Sequence, residues 1–64
     1  MPTIIVEWLE GRTDEQKAQL VEEITEVVSR VAKASPEAVS VIIHDNPAAN
    51  TGRAGKLHHL KAGH

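Results

Sequence analysis

The stretch LEGRTDEQK, residues 9–17, determines the fold because it marks the point where the chain changes from a strand to a helix. Glu10, Gly11 and Arg12 favour a turn. Thr13 followed by Gln16 matches a capping box, in which the threonine hydroxyl and the glutamine side chain satisfy free backbone N–H groups. The sequence therefore predicts a strand before this turn and a helix that starts at the threonine.

The segment before the turn, TIIVEWL at residues 3–9, is rich in β-branched and apolar residues and predicts a strand. Alternation along a strand places Ile4 and Trp8 on one face and Ile5 and Leu9 on the other. Both faces are therefore apolar. This pattern is typical of a strand covered on both sides, as in a sheet with helices on one face and another subunit on the other.

The predicted helix carries one apolar stripe, because its apolar residues recur at spacings of three and four. These residues are Leu20, Val21, Ile24, Val27, Val28 and Val31. Pro36 disfavours helical geometry at Ser35, where we expect the helix to end. The four residues 35–38, SPEA, predict a tight turn or a single helical turn.

A second strand is predicted at residues 39–45, VSVIIHD, whose continuous apolar run is typical of a buried strand. The order strand, helix, strand predicts a βαβ unit with a right-handed crossover and parallel strands. From Asn46 onward turn-forming residues dominate. Here we expect a loop, a short hairpin around Thr51 to Leu57 and a frayed end, all within a single domain of residues 1–64.

The composition describes a small chain without covalent cross-links. It has 64 residues and no cysteine, which excludes disulfides and thiolate metal sites. A chain of this length hides only about 60% of the surface that its unfolded form exposes. Because a lone copy would be marginally stable, we expect the protein to form an oligomer.

The charge pattern offers no general attraction to nucleic acid or to anionic membranes, because the net charge is −2. No apolar stretch approaches the roughly 20 residues that a membrane helix needs, and the first residues do not resemble a secretory signal. We therefore expect a soluble, cytoplasmic protein. All nine acidic residues lie at or before Asp45. The basic segment that follows is either a solvated tail or a surface that attracts an anionic substrate.

The histidines and the single tryptophan are the remaining side chains that suggest chemistry. His44, His58, His59 and His64 do not have the spacing of a recognised zinc site, so we expect no metal and regard them as solvated or packing side chains. Trp8 is expected to fill a core or a subunit contact rather than to stack on a substrate.

A family resemblance rests on several of these segments together. The chain opens Met1-Pro2, continues with LEGRTDEQK at residues 9–17, and then has one long helix and a second β-branched strand. The sequences VSVII at residues 39–43 and NTGRAG at residues 50–55 add weaker support. In this combination the chain resembles the 4-oxalocrotonate tautomerase family over nearly its whole length.

The resemblance implies an α+β fold and an oligomer. A β-α-β protomer with parallel strands would dimerise into a four-stranded sheet backed by two helices, and three dimers would form a hexamer; a mixed oligomer is the alternative. The resemblance also implies an isomerase, without a cofactor, of aromatic hydrocarbon catabolism. Pro2, exposed by loss of Met1, would move protons between the enol and keto forms of small 2-hydroxy-dienoates and 2-oxo acids.

Three further positions are assigned by the resemblance. Arg12 matches the family arginine that binds a substrate carboxylate, usually across a subunit boundary. Ser40 stands where some members have a second arginine, and Thr51 stands where many have an aromatic residue. The first change removes a cation that would stabilise enolate charge, and the second removes apolar cover over the base. A related 2-hydroxy-dienoate or a phenylenolpyruvate-like acid is therefore as suitable a substrate as the diacid 2-hydroxymuconate.

The chemistry of Pro2 and Arg12 suits the roles that the resemblance implies. An α-amino group titrates at about 7.7–8.0, much closer to neutrality than the lysine side chain at about 10.4. The planar guanidinium of Arg12 can hold a carboxylate through two charge-assisted hydrogen bonds. A cation close to the positive end of a helix dipole is electrostatically unfavourable, which favours a functional reason for this arginine.

Other functions remain open on the sequence alone. The chain would be a non-catalytic subunit or scaffold if Met1 were retained. An enzyme that hydrates or dehalogenates short unsaturated acids would use the protonated proline as an acid. A βαβ binding module without chemistry would be unaffected, in any enol assay, by replacement of Arg12.

Overall fold

The computed structural model describes residues 1–58, and its main body is a βαβ unit. Strand β1 spans Thr3–Leu9, helix α1 spans Asp14–Ala32 and strand β2 spans Ser40–Asn46. The two strands pair in parallel, as predicted, because the helix between them carries the chain back to the starting end of β1.

The capping box predicted at the start of α1 is confirmed. The backbone N–H of Gln16 donates to the hydroxyl oxygen of Thr13 over 3.1 Å, and the backbone N–H of Thr13 donates to the side-chain oxygen of Gln16 over 2.9 Å. Both bonds satisfy N–H groups that have no partner within the helix. The helix therefore begins where the sequence indicates.

The end of α1 differs from the prediction, because the helix stops at Ala32 and not at Ser35. Lys33 adopts a left-handed conformation with φ 56°, and the backbone N–H groups of Lys33 and Ala34 both donate to the carbonyl oxygen of Ser29. Such a cap satisfies the carbonyl of Ser29 in the last turn and ends the helix before Pro36 has any effect. The single helical turn predicted next is present as a 3₁₀ turn at Pro36–Ala38.

The register of the sheet decides which side chains share a face. Thr3 lies opposite Ser40, Ile5 opposite Ile42, Glu7 opposite His44 and Trp8 opposite Asp45. Side chains alternate between the two faces of a strand. Trp8 and Asp45 therefore lie on the face that is turned towards the helix, and the other six side chains named above lie on the opposite face.

The face turned away from α1 is open. At its centre lie Ile5 and Ile42, which are 56% and 44% exposed. Val27 and Val31 of the helix stripe are 46% and 69% exposed. Among residues 1–58 no side chain is fully buried. Much of the apolar surface that the sequence pattern predicts to be covered is therefore exposed in the described part of a single copy.

A second open surface lies above β1, because α1 packs mainly against β2. An apolar groove of about 310 Å³ runs between Ile4 and the helix residues Ile24, Val27 and Val28. Among residues 1–58, strand β1 pairs with β2 only, so its other edge is free within this part of the protomer. This groove and the open sheet face are apolar surfaces that the described residues of a single copy leave uncovered.

After β2 the chain forms a 3₁₀ turn at Ala48–Asn50 and the hairpin that the sequence predicts around residues 51–57. Its antiparallel strands are β3, Gly52–Arg53, and β4, Lys56–Leu57. The connecting residues Ala54 and Gly55 both have positive φ, of 54° and 81°. The expected frayed end falls outside the described residues. No helix in the described part of the chain is long and apolar enough to cross a membrane.

Candidate active site

Arg12 lies in the turn between β1 and α1, on the wall of an open groove. The turn contains Gly11 with φ 121°, a conformation that other residues rarely adopt. The side chain of Arg12 is exposed. The groove has a volume of about 280 Å³ and is lined by Trp8, Arg12, Gln16, Gln19, Leu20 and Glu23. The arginine predicted to hold a carboxylate therefore stands at an accessible concave surface.

The guanidinium of Arg12 lies over the indole ring of Trp8, with its central carbon 5.2 Å from the ring centroid. At this distance the negative face of the aromatic ring attracts the cation. The sequence favoured a core or subunit contact for Trp8. Within the protomer the indole is half-buried and forms part of the groove wall, and a subunit contact for Trp8 stays a prediction.

Trp8 is held at the N–H edge of its ring by Asp45. The indole N–H of Trp8 donates to one carboxylate oxygen of Asp45 over 2.6 Å, and the ammonium of Lys17 binds the other oxygen. The hydrogen bond from Lys17, followed by that from Trp8, lowers the pKa of Asp45. The same contact raises the pKa of Lys17. Asp45 is therefore a carboxylate at neutral pH, with both oxygens occupied.

Sequence reasoning did not identify Asp45 or Lys17 as part of the site. Asp45 is 37 positions from its partner Trp8 along the chain, and Lys17 is 28 positions from its partner Asp45. The strand register would have found Asp45, because it places Trp8 directly opposite Asp45. The apolar pattern predicts the two strands but leaves their relative register undetermined.

Pro2 and Ser40 lie together at the opposite end of the sheet. The backbone N–H of Ser40 donates to the carbonyl oxygen of Pro2 over 3.0 Å. Pro2 is half-buried and Ser40 is exposed. Two of the four residues assigned to a site from the sequence are therefore neighbours.

Pro2 and Arg12 are not brought together within one copy of the chain. They flank strand β1, which contains seven residues. At about 3.3 Å per residue the two ends of such a strand are roughly 20 Å apart. One small acid does not span this distance, so a site that uses both residues needs Arg12 from another copy.

Thr51 lies at the start of the hairpin and its hydroxyl is 3.0 Å from a ring nitrogen of His58. The backbone N–H of His58 also donates to the carbonyl oxygen of Thr51 over 2.9 Å. These contacts fix Thr51 against the hairpin. Neither joins it to Pro2 or Arg12.

A separate polar cluster occupies the open sheet face. One oxygen of Glu7 lies 2.7 Å from a ring nitrogen of His44, and the other accepts a hydrogen bond of 2.9 Å from Asn46. The contact with Asn46 and then that with His44 lower the pKa of Glu7. The described residues contain no group of three or more His, Cys, Asp or Glu side chains that could hold a metal ion. His59 and His64 lie outside the described residues.

Comparison with known proteins supplies the family. A family model described as tautomerase enzyme matches residues 2–61. A probable tautomerase of Streptococcus mutans is 57% identical over 47 residues, which cover 73% of this chain and 77% of that protein. The residues of this chain that match the family model begin at Pro2 and include Arg12.

Solved structures share the fold. A 4-oxalocrotonate tautomerase isozyme from Methylibium petroleiphilum superposes with a TM-score of 0.92 at 34% identity, over 97% of each chain. A fused 4-oxalocrotonate tautomerase, described as an asymmetric trimer, superposes with a TM-score of 0.92 at 31% identity, over 97% of this chain and 50% of that one. The β-α-β architecture, with a second antiparallel strand pair, is thus common to the group. The chain belongs to the tautomerase enzyme family.

Proposed function

We propose that the protein is an enol–keto tautomerase of small 2-hydroxy-dienoates and 2-oxo acids, with Pro2 as general acid and base after loss of Met1. The observation that carries this proposal is the match of residues 2–61 to the tautomerase model, together with Arg12 at an accessible groove. Met1 is 92% exposed and therefore open to removal. The reaction is an isomerisation and needs no external oxidant or reductant.

The proline nitrogen suits the proposed proton transfer. Once Met1 is gone, the neutral ring nitrogen accepts a proton from the enol hydroxyl and returns a proton to a carbon of the same molecule. Such a group works best when its pKa lies near the working pH, and an α-amine starts at about 7.7–8.0. An amide nitrogen is not basic, so a chain that retains Met1 has no base at this position.

Arg12 has the proposed role of holding a substrate carboxylate. Its planar fork matches a carboxylate through two hydrogen bonds, and the groove beside it accepts the carbon chain. Within residues 1–58 the two ion pairs join Lys17 to Asp45 and His44 to Glu7, and neither involves Arg12. The guanidinium is therefore available to an anionic ligand.

We further propose that the site forms between copies of the chain in a homo-oligomer, with six copies arranged as three dimers. The distance between Pro2 and Arg12 along β1 supports a shared site. The open face around Ile5 and Ile42 supplies apolar surface for assembly. The fused relative described as a trimer, each chain of which is about twice as long as this one, supports a total of six units.

Ser40 and Thr51 bear on the choice of substrate. Ser40 is adjacent to Pro2 and carries no charge, so the site as proposed has one arginine for the substrate. A substrate with one carboxylate beside its enol, such as phenylenolpyruvate, suits this arrangement as well as the diacid 2-hydroxymuconate does. A cytoplasmic role in the breakdown of aromatic compounds fits substrates of this class.

The test is ketonisation of 2-hydroxymuconate and phenylenolpyruvate by protein whose first residue is checked by intact mass. We expect activity from chains that begin at Pro2. Pro2→Ala and a form with a non-removable residue before Pro2 should lose it. Turnover of 3-haloacrylate with little ketonisation would indicate the alternative hydratase or dehalogenase function. Equal ketonisation by wild type and Pro2→Ala would contradict the proposal.

Complementation tests whether two copies share the site. Pro2→Ala is inactive and Arg12→Ala keeps only a low activity with a raised KM, but after unfolding and refolding together some sites combine an intact Pro2 from one chain with an intact Arg12 from another. Random mixing in a symmetric assembly restores about one quarter of the sites. A mixture that stays as inactive as its components would exclude a shared site.

A further inference from the structure

Three elements of the fold converge on the carboxylate of Asp45. Trp8 of β1 donates its indole N–H to one oxygen over 2.6 Å, and Lys17 of α1 binds the other oxygen. Asp45 itself lies on β2, directly opposite Trp8 in the register. The contacts therefore fix the indole relative to both strands and to the first turn of the helix.

The ring that Asp45 fixes is also the ring on which Arg12 rests. The guanidinium carbon is 5.2 Å from the centroid of the Trp8 ring. An arginine side chain has several freely rotating bonds, and contact with one rigid surface reduces the number of positions that its charged end adopts. The orientation of the indole thus limits the positions that the guanidinium adopts before a substrate binds.

A carboxylate this close to an arginine would usually bind it and compete with the substrate. Here the two oxygens of Asp45 are already occupied by Trp8 and Lys17. The negative charge stays near Arg12 and is still felt there, since Arg12 contributes to lowering the pKa of Asp45. The guanidinium fork, however, keeps its hydrogen-bonding edge for another acid.

From this arrangement we infer that Asp45 is a positioning residue for substrate binding. It holds the Trp8 ring under Arg12, and Lys17 keeps it from pairing with that arginine directly. The inference rests on the proposed function in that the ligand of Arg12 is the carboxylate of a small unsaturated acid. Asp45 touches neither the substrate nor Pro2 and takes no part in proton transfer.

The first experiment separates binding from chemistry in the assembled, Pro2-terminated protein. Asp45→Ala should raise KM about tenfold while kcat stays within about twofold, because only the hold on the carboxylate is loosened. Trp8→Phe, which keeps a ring but removes the indole N–H, should raise KM in the same direction. Glu37→Ala, which removes an exposed carboxylate near the opposite end of β2, serves as the control and should leave both constants unchanged.

The second experiment asks whether Asp45 acts through Arg12. In an Arg12→Ala background, Asp45→Ala should add no further increase in KM, since the group it positions is missing. A merely structural role would add the same loss in both backgrounds and would lower kcat as well. Equal effects of Asp45→Ala with and without Arg12 would overturn the inference.

A binding measurement keeps this inference separate from the proposed reaction. The unreactive dicarboxylate cis,cis-muconate is titrated while the emission of Trp8, the one tryptophan of the chain, is recorded. We expect Asp45→Ala to weaken binding about tenfold when Arg12 is present and to have no effect when it is absent. That result with no ketonisation would reject the reaction and keep the inference. Muconate binding that does not depend on Asp45, or no binding to the wild type, would overturn it.

Discussion

The backbone N–H of Ser40 donates to the carbonyl oxygen of Pro2, which fixes the proposed base directly before the first pair of the parallel ladder, Thr3 and Ser40. The hydrogen bond uses only main-chain atoms, so any residue at position 40 except proline can make it. The side chain at this position is therefore free to vary beside the base. Its chemistry is expected to adjust the pKa of the proline nitrogen without disturbing the sheet.

Ser40→Arg should lower the pKa of the Pro2 amine, because a neighbouring cation favours the neutral form. The acidic limb of the pH profile of kcat/KM would then move to lower pH by about one unit. Activity at pH 6 would rise, most of all for a diacid substrate. Ser35→Arg introduces the same charge in the loop before the 3₁₀ turn and is the matched control. A profile that moves equally in both variants would show that the effect is not local.

Ile5→Asp or Ile42→Asp should break the assembly, because each places a charge at the centre of the open apolar face. We expect a smaller species in size-exclusion chromatography or analytical ultracentrifugation. Ketonisation should be lost with it, since Pro2 and Arg12 of different copies no longer meet. Ala18→Asp puts the same charge on the exposed side of the helix and should leave both size and rate unaltered. Full-size, active Ile5→Asp protein would refute this use of the face.

Thr13→Ala should destabilise the protein by about 1 kcal/mol per chain, because it removes the hydroxyl that caps the first turn of α1. The change is measured as a lower Tm at one fixed protein concentration. Thr13→Ser keeps a capping hydroxyl and should retain most of the stability. If serine and alanine lowered Tm to the same extent, the capping bond would not be the cause.

Acid should weaken the fold through Glu7 and Asp45, whose pKa values are lowered from the ordinary 4.5 and 3.8. Each contributes stability that is present above its ordinary value and is lost as the pH falls through the lowered one. The sensitive range therefore lies below about pH 4.5. Lys17, with a raised pKa, contributes stability below its ordinary 10.5 that is lost at higher pH.

Thermal unfolding between pH 6 and pH 3 checks the acidic part of this prediction. The difference in Tm between wild type and Glu7→Gln should shrink as the pH falls, because the wild-type carboxylate becomes protonated. Glu22→Gln, on an exposed part of the helix, should differ from the wild type by the same small amount throughout. A constant difference for Glu7→Gln would mean that its charge plays no part.

Local signals in the sequence accounted for the elements of the fold. The capping box set the start of α1, the β-branched runs set both strands, and their order set the parallel pairing. The end of the helix was misplaced because Lys33 adopts a left-handed conformation that lysine rarely takes. Nothing in the residue type predicts it, since the cap is closed by backbone bonds to Ser29.

The candidate site was only partly predictable, for a different reason. Pro2 and Arg12 stood out through motif position, and the structure places Ser40 beside the former. The support beneath Arg12 was missed because Trp8 and Asp45 meet only when the register of two distant strands is known. An acidic residue at the end of a strand has many ordinary explanations, and only the geometry of the indole contact distinguishes this one.

No side chain in the described part of the protomer is fully buried, so the fraction of folded chains is expected to depend on the protein concentration. If copies cover one another's apolar surfaces in an oligomer, dilution shifts the equilibrium towards unfolded chains and a higher protein concentration shifts it towards folded ones. Tm therefore rises with the protein concentration. A newly made chain then becomes resistant to proteolysis only after it has associated with other copies. The cellular abundance of this small protein would set its lifetime as well as its catalytic output.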